Sequence, residues 1–160
     1  MAEAKTNVMR VLEQKKIPYT AHSYPHGDEA VDGVTVARLT GLDPERVFKT
    51  LVTQGASKKN YVFVIPAAEE LDLKKAAKAV GEKSIALIRV SELNALTGYV
   101  RGGCSPVGMK KQFETVYHES CAGLSTMAVS AGKIGAQVEL SPAALISLTR
   151  GRTADLIVRI

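Results

Sequence analysis

The run Tyr61-Val62-Phe63-Val64-Ile65 is apolar at every position. A strand with one wet face alternates apolar and polar residues, whereas a strand without alternation needs cover on both faces. This run therefore predicts a central strand with packed layers on either side. A turn over 55–60 separates it from another strand expected over 47–53.

Helical spacing marks the covering layers. Val8, Val11 and Leu12 form an apolar stripe in a helix expected over 6–15, capped by Thr6 and stopped by Pro18. Further helices are expected over 35–40, ending at Gly41, over 73–80, ending at Gly81, over 91–96 with Ser91 as cap, and from Ser141-Pro142 to 149. In the helix over 73–80, Leu73, Ala76, Ala77 and Val80 point inward and Lys74, Lys75 and Lys78 outward. Asp43-Pro44 opens a short turn. Strands are expected over 19–23, 84–89, 113–117, 126–130, 136–140 and 156–159. Strands outnumber helices, and several follow one another directly. The pattern predicts an α+β fold with a mixed, largely antiparallel sheet flanked by helices, not a doubly wound parallel sheet.

The chain of 160 residues is 46% apolar and 23% charged, which excludes a disordered polymer and suits a single compact domain over 1–160. No linker, repeat or biased segment divides it. No stretch approaches the roughly 20 apolar residues of a membrane span, and the polar start at 1–16 does not read as a secretory signal. Cys104 and Cys121 match no zinc spacing and read as free thiols in a reducing cytosol, which places the protein in the cytoplasm. With 21 basic and 16 acidic residues the net charge is +5, favouring a polyanionic partner. Basic pairs at Lys15-Lys16, Lys58-Lys59, Lys74-Lys75 and Lys110-Lys111 solvate a surface, or, gathered on one side, suit a phosphate backbone. Three Phe, five Tyr and no Trp make an aromatic stacking platform improbable.

Two features stand apart. Lys49 falls between apolar neighbours in a strand expected to be central. It is either a snorkelling lysine on an edge strand or a cation aimed into a pocket to meet a phosphate, carboxylate or polarised carbonyl. In Gly102-Gly103-Cys104-Ser105-Pro106-Val107-Gly108, adjacent glycines let a ligand approach the backbone, whose N–H groups can line an anion or oxyanion site. The alternative is an ordinary tight loop. It is not a P-loop, because Met109 stands where the lysine must be, and G-x-G-x-x-G is absent.

Other patterns carry less. Ser130-Ala131-Gly132-Lys133 fits S-x-x-K without the accessory motifs of a serine–lysine hydrolase, and reads better as a turn after a strand. His22 and His26 with Asp28, Glu29 and Asp32 make a metal cluster conceivable, but solvated loop residues are the better account, and no metal or cofactor is expected. A nucleophilic pair of Cys104 and His118 is a remote option, because sequence does not reveal spatial neighbours.

From Lys16-Ile17-Pro18-Tyr19 and His22-Ser23-Tyr24, through Gly41-Leu42-Asp43-Pro44 and Phe48-Lys49-Thr50-Leu51, the chain resembles the YbaK/EbsC family of aminoacyl-tRNA editing proteins. The likeness continues through Leu73-Lys74-Lys75-Ala76-Ala77-Lys78, Thr97-Gly98-Tyr99, the loop at 102–108 and Val129-Ser130-Ala131-Gly132-Lys133. The resemblance implies a fold shared with the editing insertion of bacterial prolyl-tRNA synthetases. It implies hydrolysis of a wrong amino acid from tRNA, here cysteine on proline tRNA, with prolyl-tRNA synthetase as a possible partner. It assigns Lys49 and Gly102 to catalysis. It assigns Tyr24, Thr50, Gly103, Ser105, Pro106 and Ser130 to substrate binding. In the family's chemistry the substrate's own thiol attacks its carbonyl. One departure is visible: where relatives carry an aromatic residue before Gly33, this chain has Asp32.

Overall fold

A computed structural model describes residues 5–159; residues 1–4 and 160, which the expected whole-chain domain and the polar start include, lie outside the described residues. The order is α1 (Asn7–Gln14), β1 (Tyr19–Ser23), α2 (Gly33–Thr40), β2 (Phe48–Gly55), β3 (Asn60–Pro66), α3 (Leu73–Val80), β4 (Ile85–Leu87), α4 (Val90–Thr97), β5 (Glu114–His118), β6 (Met127–Ser130), β7 (Ala136–Leu140), α5 (Pro142–Thr149) and β8 (Arg152–Ala154). Short 3-10 turns at Pro44–Arg46 and Glu119–Gly123 link them. The fold is α+β with a mixed sheet and flanking helices. Its strands divide into a five-stranded sheet, β4-β2-β3-β5-β8, and a three-stranded antiparallel sheet, β1-β7-β6. In the larger sheet β2 runs antiparallel to β3 and β4, while β3–β5 and β5–β8 are parallel.

Strand β3 has the double cover its composition demands. Tyr61, Phe63 and Ile65 face a core shared with Ala76 and Ala77 of α3, and with Leu71 and Leu156. Val62 and Val64 face the larger core between the sheets, with Val8 and Leu12 of α1 and Val129, Val138 and Leu140 of the smaller sheet. All five positions are at most 4% exposed.

Caps account for the helix starts. Thr6 accepts from Met9 N–H at 3.2 Å, Asp72 from Lys74 and Lys75 N–H, and Ser141 from Ala144 N–H. Helix α2 begins at Gly33, two residues before the expected start, and Asp32 caps it, accepting from Thr35 N–H at 2.9 Å and Thr35 Oγ1 at 2.7 Å. That is the local reason for an acidic residue there.

Four expectations are corrected. Helix α4 begins at Val90, so Ser91 is inside its first turn and caps nothing; Arg89 holds the cap position without a side-chain bond. Leu73, expected inward, is 43% exposed, because the first position of α3 overhangs the core that Ala76 and Ala77 reach. Lys75 is not solvated but donates to Asp155 Oδ2 (3.0 Å) and to Ile157 C=O (2.8 Å). The last strand is at Arg152–Ala154 rather than over 156–159. The chain beyond it crosses to α3's approach, where Leu156 C=O accepts from Asp72 N–H and Val158 N–H donates to Glu70 C=O. No described helix is long and apolar enough to cross a membrane.

Candidate active site

Strand β2 has two different neighbours along one edge. Its C-terminal half pairs with β4 from Thr53 to Gly55, and its entry meets the smaller sheet through a single bridge, Val47 to Ala128. Between these contacts the sheets part, and the edge of β2 lies open. Val52 C=O accepts from Ile88 N–H on this edge at 3.2 Å. Backbone groups two residues apart in a strand point the same way, so those of Thr50 are directed into the gap. The gap is a cleft of about 710 Å³, walled by β2, the loop before α2, the β4–α4 junction, the glycine loop and the ends of β6 and β7.

Lys49, Thr50, Tyr24, Gly102 and Ser130 all line this cleft. They come from four separate stretches of chain. Lys49 is half-buried, and its ammonium makes no ion pair or hydrogen bond among the described residues. Loss of water around it holds its ammonium below the ordinary lysine pKa, against the opposing pull of Glu70 and Glu69. Thr50 Oγ1 is buried with no hydrogen-bond partner among the described residues. Tyr24 is 4% exposed and fixed by its N–H donating to Gly135 C=O at 3.0 Å. Ser130 Oγ accepts from Gly132 N–H at 3.1 Å, which turns the chain after β6.

Gly102 sits where a side chain does not fit. Its φ is +85°, and a Cβ there would lie 2.7 Å from Ala30 Cβ and 2.9 Å from Ala30 Cα. The glycine loop and the loop before α2 therefore meet backbone to backbone. Gly103 N–H donates to Val100 C=O at 3.0 Å, whereas Gly102 N–H has no described intramolecular acceptor. Only one of the two glycine N–H groups is thus left for a ligand.

Gly103, Ser105 and Pro106 do not line the cleft. They are buried behind it. Ser105 Oγ accepts from Val107 N–H (3.3 Å), and Tyr99 Oη donates to Val107 C=O, so these residues shape the loop that presents Gly102. Gln137, absent from the sequence reading, does line the cleft. It is 5% exposed, and its Oε1 is buried without a partner among the described residues. The signal for it was the register of a β6–β7 hairpin, which sets Gln137 opposite Ser130.

The other candidates separate. Cys104 lines the cleft, but burial pushes its thiol up to about 12, so it is no nucleophile at neutral pH. His118 accepts Leu156 N–H on Nδ1 at 3.1 Å, away from Cys104. His22 Nε2 bonds Glu139 Oε1 at 2.8 Å, and His26 Nδ1 meets Gly27 C=O, so the two histidines do not converge. No group of three His, Cys, Asp or Glu side chains among the described residues is placed to hold a metal ion.

A cleft between two sheets, with a half-desolvated cation, unpaired polar groups and no activated side-chain nucleophile, defines a protein that positions a ligand and stabilises charge on it. The family model described as "Aminoacyl-tRNA editing domain" matches residues 28–148. The chain is 46% identical over 157 residues to "Putative Cys-tRNA(Pro)/Cys-tRNA(Cys) deacylase EbsC" of Enterococcus faecalis (strain ATCC 700802 / V583), covering 98% of this chain and 96% of that protein. The chain belongs to the aminoacyl-tRNA editing family. Among solved structures, "a putative trans-editing enzyme for prolyl tRNA synthetase" superposes with a TM-score of 0.82 at 24% identity, over 98% of this chain and 100% of that one. The "hypothetical protein APE2540" superposes with a TM-score of 0.86 at 22% identity, over 96% and 100%. These two likenesses are of fold.

Proposed function

We propose that this chain, as one editing domain over 1–160, is a trans-editing deacylase that removes cysteine from mischarged proline tRNA. The carrying observation is that an unpaired Lys49 ammonium and an orphaned Thr50 hydroxyl, from successive positions of β2, both line one cleft without a free base. Family membership and the name borne by the Enterococcus faecalis relative support the substrate. Prolyl-tRNA synthetase is the partner that would deliver it.

The substrate is an ester of the terminal ribose. Its thiol sulfur attacks its own carbonyl carbon, and a C–S bond forms as the ester C–O bond breaks. The electron pair leaves on the ribose oxygen, which takes up the proton the thiol releases, giving a cyclic thioester and free tRNA. The protein supplies orientation and charge stabilisation. Lys49 and the Gly102 N–H offset the negative charge that develops on oxygen, while Tyr24, Thr50 and Ser130 hold the aminoacyl group. Alanine has no thiol, and serine's hydroxyl is a poorer nucleophile, so selectivity follows from the substrate.

Single-turnover deacylation of Cys-tRNA(Pro) tests this, with Ala-tRNA(Pro) alongside and Lys49→Ala as control. Loss of cysteine alone, abolished by the substitution, is expected. Loss of both amino acids would replace thiol attack by water attack in a broader pocket. Loss of neither, with prolyl-tRNA synthetase added, would overturn the deacylase.

A further inference from the structure

The charged side chains lining the cleft are Asp32, Lys49, Arg89 and Arg101. The single anion is engaged by Thr35, and Lys49 lies within. Arg89 and Arg101 are exposed and come from the β4–α4 junction and the glycine loop, and their guanidinium groups make no hydrogen bond or ion pair among the described residues. By contrast, Arg46 donates to Ser125 and Thr126, Arg152 pairs with Glu114, and Arg159 pairs with Asp155. Flanking Arg89 on the same rim are Leu87 and Val90, 56% and 62% exposed. An apolar ledge beside two uncommitted guanidinium groups, continuous with a cleft holding a third cation, matches a ligand that is both planar-apolar and polyanionic. A guanidinium fork fits phosphate oxygens, and the face of a base rests on aliphatic side chains.

We propose that this rim is a subsite for the single-stranded 3′ end of an RNA, with Leu87 and Val90 carrying a base and Arg89 and Arg101 taking its phosphodiesters. The deacylase reading supplies which end of the RNA enters the cleft; the rim's affinity for the strand stands on its own. These are positioning residues. Their contribution lies in binding rather than in the bond-breaking step.

The test is anisotropy of a 5′-fluorescein-labelled CCA trinucleotide with the wild-type protein, Arg89→Gln, Arg101→Gln, Val90→Ser and, as a charge-matched control, Lys78→Gln. Each arginine variant should bind about tenfold more weakly, the low end for a charge-assisted hydrogen bond. Each should also lower the slope of log affinity against log salt by about 0.7, one single-strand phosphate contact. Val90→Ser should weaken binding without changing the slope, and Lys78→Gln should match wild type. In single-turnover deacylation of Cys-tRNA(Pro), the rim variants should need more enzyme for half-maximal rate and keep the maximal rate. With cysteine ethyl ester, which has no nucleotide, they should equal wild type. Equal trinucleotide binding by all proteins would overturn the subsite. So would variants that lose the maximal rate or fail on the ethyl ester. If wild type cleaves no ester at all, the deacylase reading fails while the trinucleotide arm still decides the rim.

Discussion

Replacing Gly102 with alanine keeps the backbone N–H and adds one methyl group, so it isolates geometry from hydrogen bonding. Two costs arise. At φ +85° a residue with a Cβ is strained by about 1–2 kcal/mol. The new Cβ also falls 2.7 Å from Ala30 Cβ, 2.9 Å from Ala30 Cα and 3.4 Å from Ile134 Cγ1. Overpacking of this kind costs about 1–3 kcal/mol. Ala30 is exposed on the loop before α2, so that loop moves before the core does. The expected loss is therefore near the low end of the sum, about 2–3 kcal/mol. Because Ala30, Val31, Asp32 and Gly33 are cleft wall, activity should fall by more than the stability change implies. Urea unfolding followed by circular dichroism reads the first quantity, and single-turnover deacylation the second. Adding Ala30→Gly removes the Cβ contact but leaves the 2.9 Å approach to the Cα of residue 30 and the dihedral strain, so the double variant should recover part of the steric cost and retain a deficit of at least about 1–2 kcal/mol. An unchanged urea midpoint with full activity for Gly102→Ala, or a double variant no better than the single, would refute the reasoning.

Lys49→Met should abolish deacylation while leaving the thermal midpoint equal or higher. Folding lowers the ammonium's pKa, so the charged side chain is a cost at neutral pH, and stability rises as pH climbs from that lowered value toward 10.5. The variant should lose this alkaline rise, which thermal melts between pH 7 and 10.5 would detect. Thr50→Val removes a buried hydroxyl without a partner and keeps the shape; calorimetry should show no loss of stability and a gain of up to about 1 kcal/mol, with slower deacylation. Burial lowers the pKa of His118, which receives Leu156 N–H in its neutral form. Stability should therefore decline as pH falls below 6.5 toward the folded value, because the unfolded chain binds the proton more readily there. His118→Asn keeps an acceptor for Leu156 N–H and should flatten urea midpoints across that window. Any remaining acid loss at lower pH would belong to carboxylates such as Glu139 and Asp155, whose pKa values folding depresses.

The elements that carry the site were legible where the signal is local. A helix N-cap, a run such as 61–65 and a glycine after an apolar stripe act within a few residues, so Thr6 and Ser141 start their helices and Gly41 and Gly81 end theirs as their chemistry requires. Lys49 was legible as an anomaly, since an ammonium among apolar strand neighbours needs a reason wherever the strand goes. Its resemblance to the editing family pointed to the same strand and to the glycine loop.

Pairing and register belong to the whole chain. No local pattern tells β2 to take β4 at one end and touch β6 at the other, yet that choice opens the edge at Thr50 and makes the cleft. The same non-local pairing sets Gln137 opposite Ser130 and sends residues 155–159 across to α3 instead of into the sheet. It also commits Gly103 N–H to Val100 while leaving Gly102 N–H without a partner among the described residues, a difference two adjacent glycines do not disclose. By itself the sequence determined which residues could not be bland: a doubly covered strand, a cation in the strand before it and a loop opened by two adjacent glycines. Tertiary structure decided which of their polar groups are left unpaired together, because a hydrogen bond is satisfied or withheld only when distant strands have taken their register.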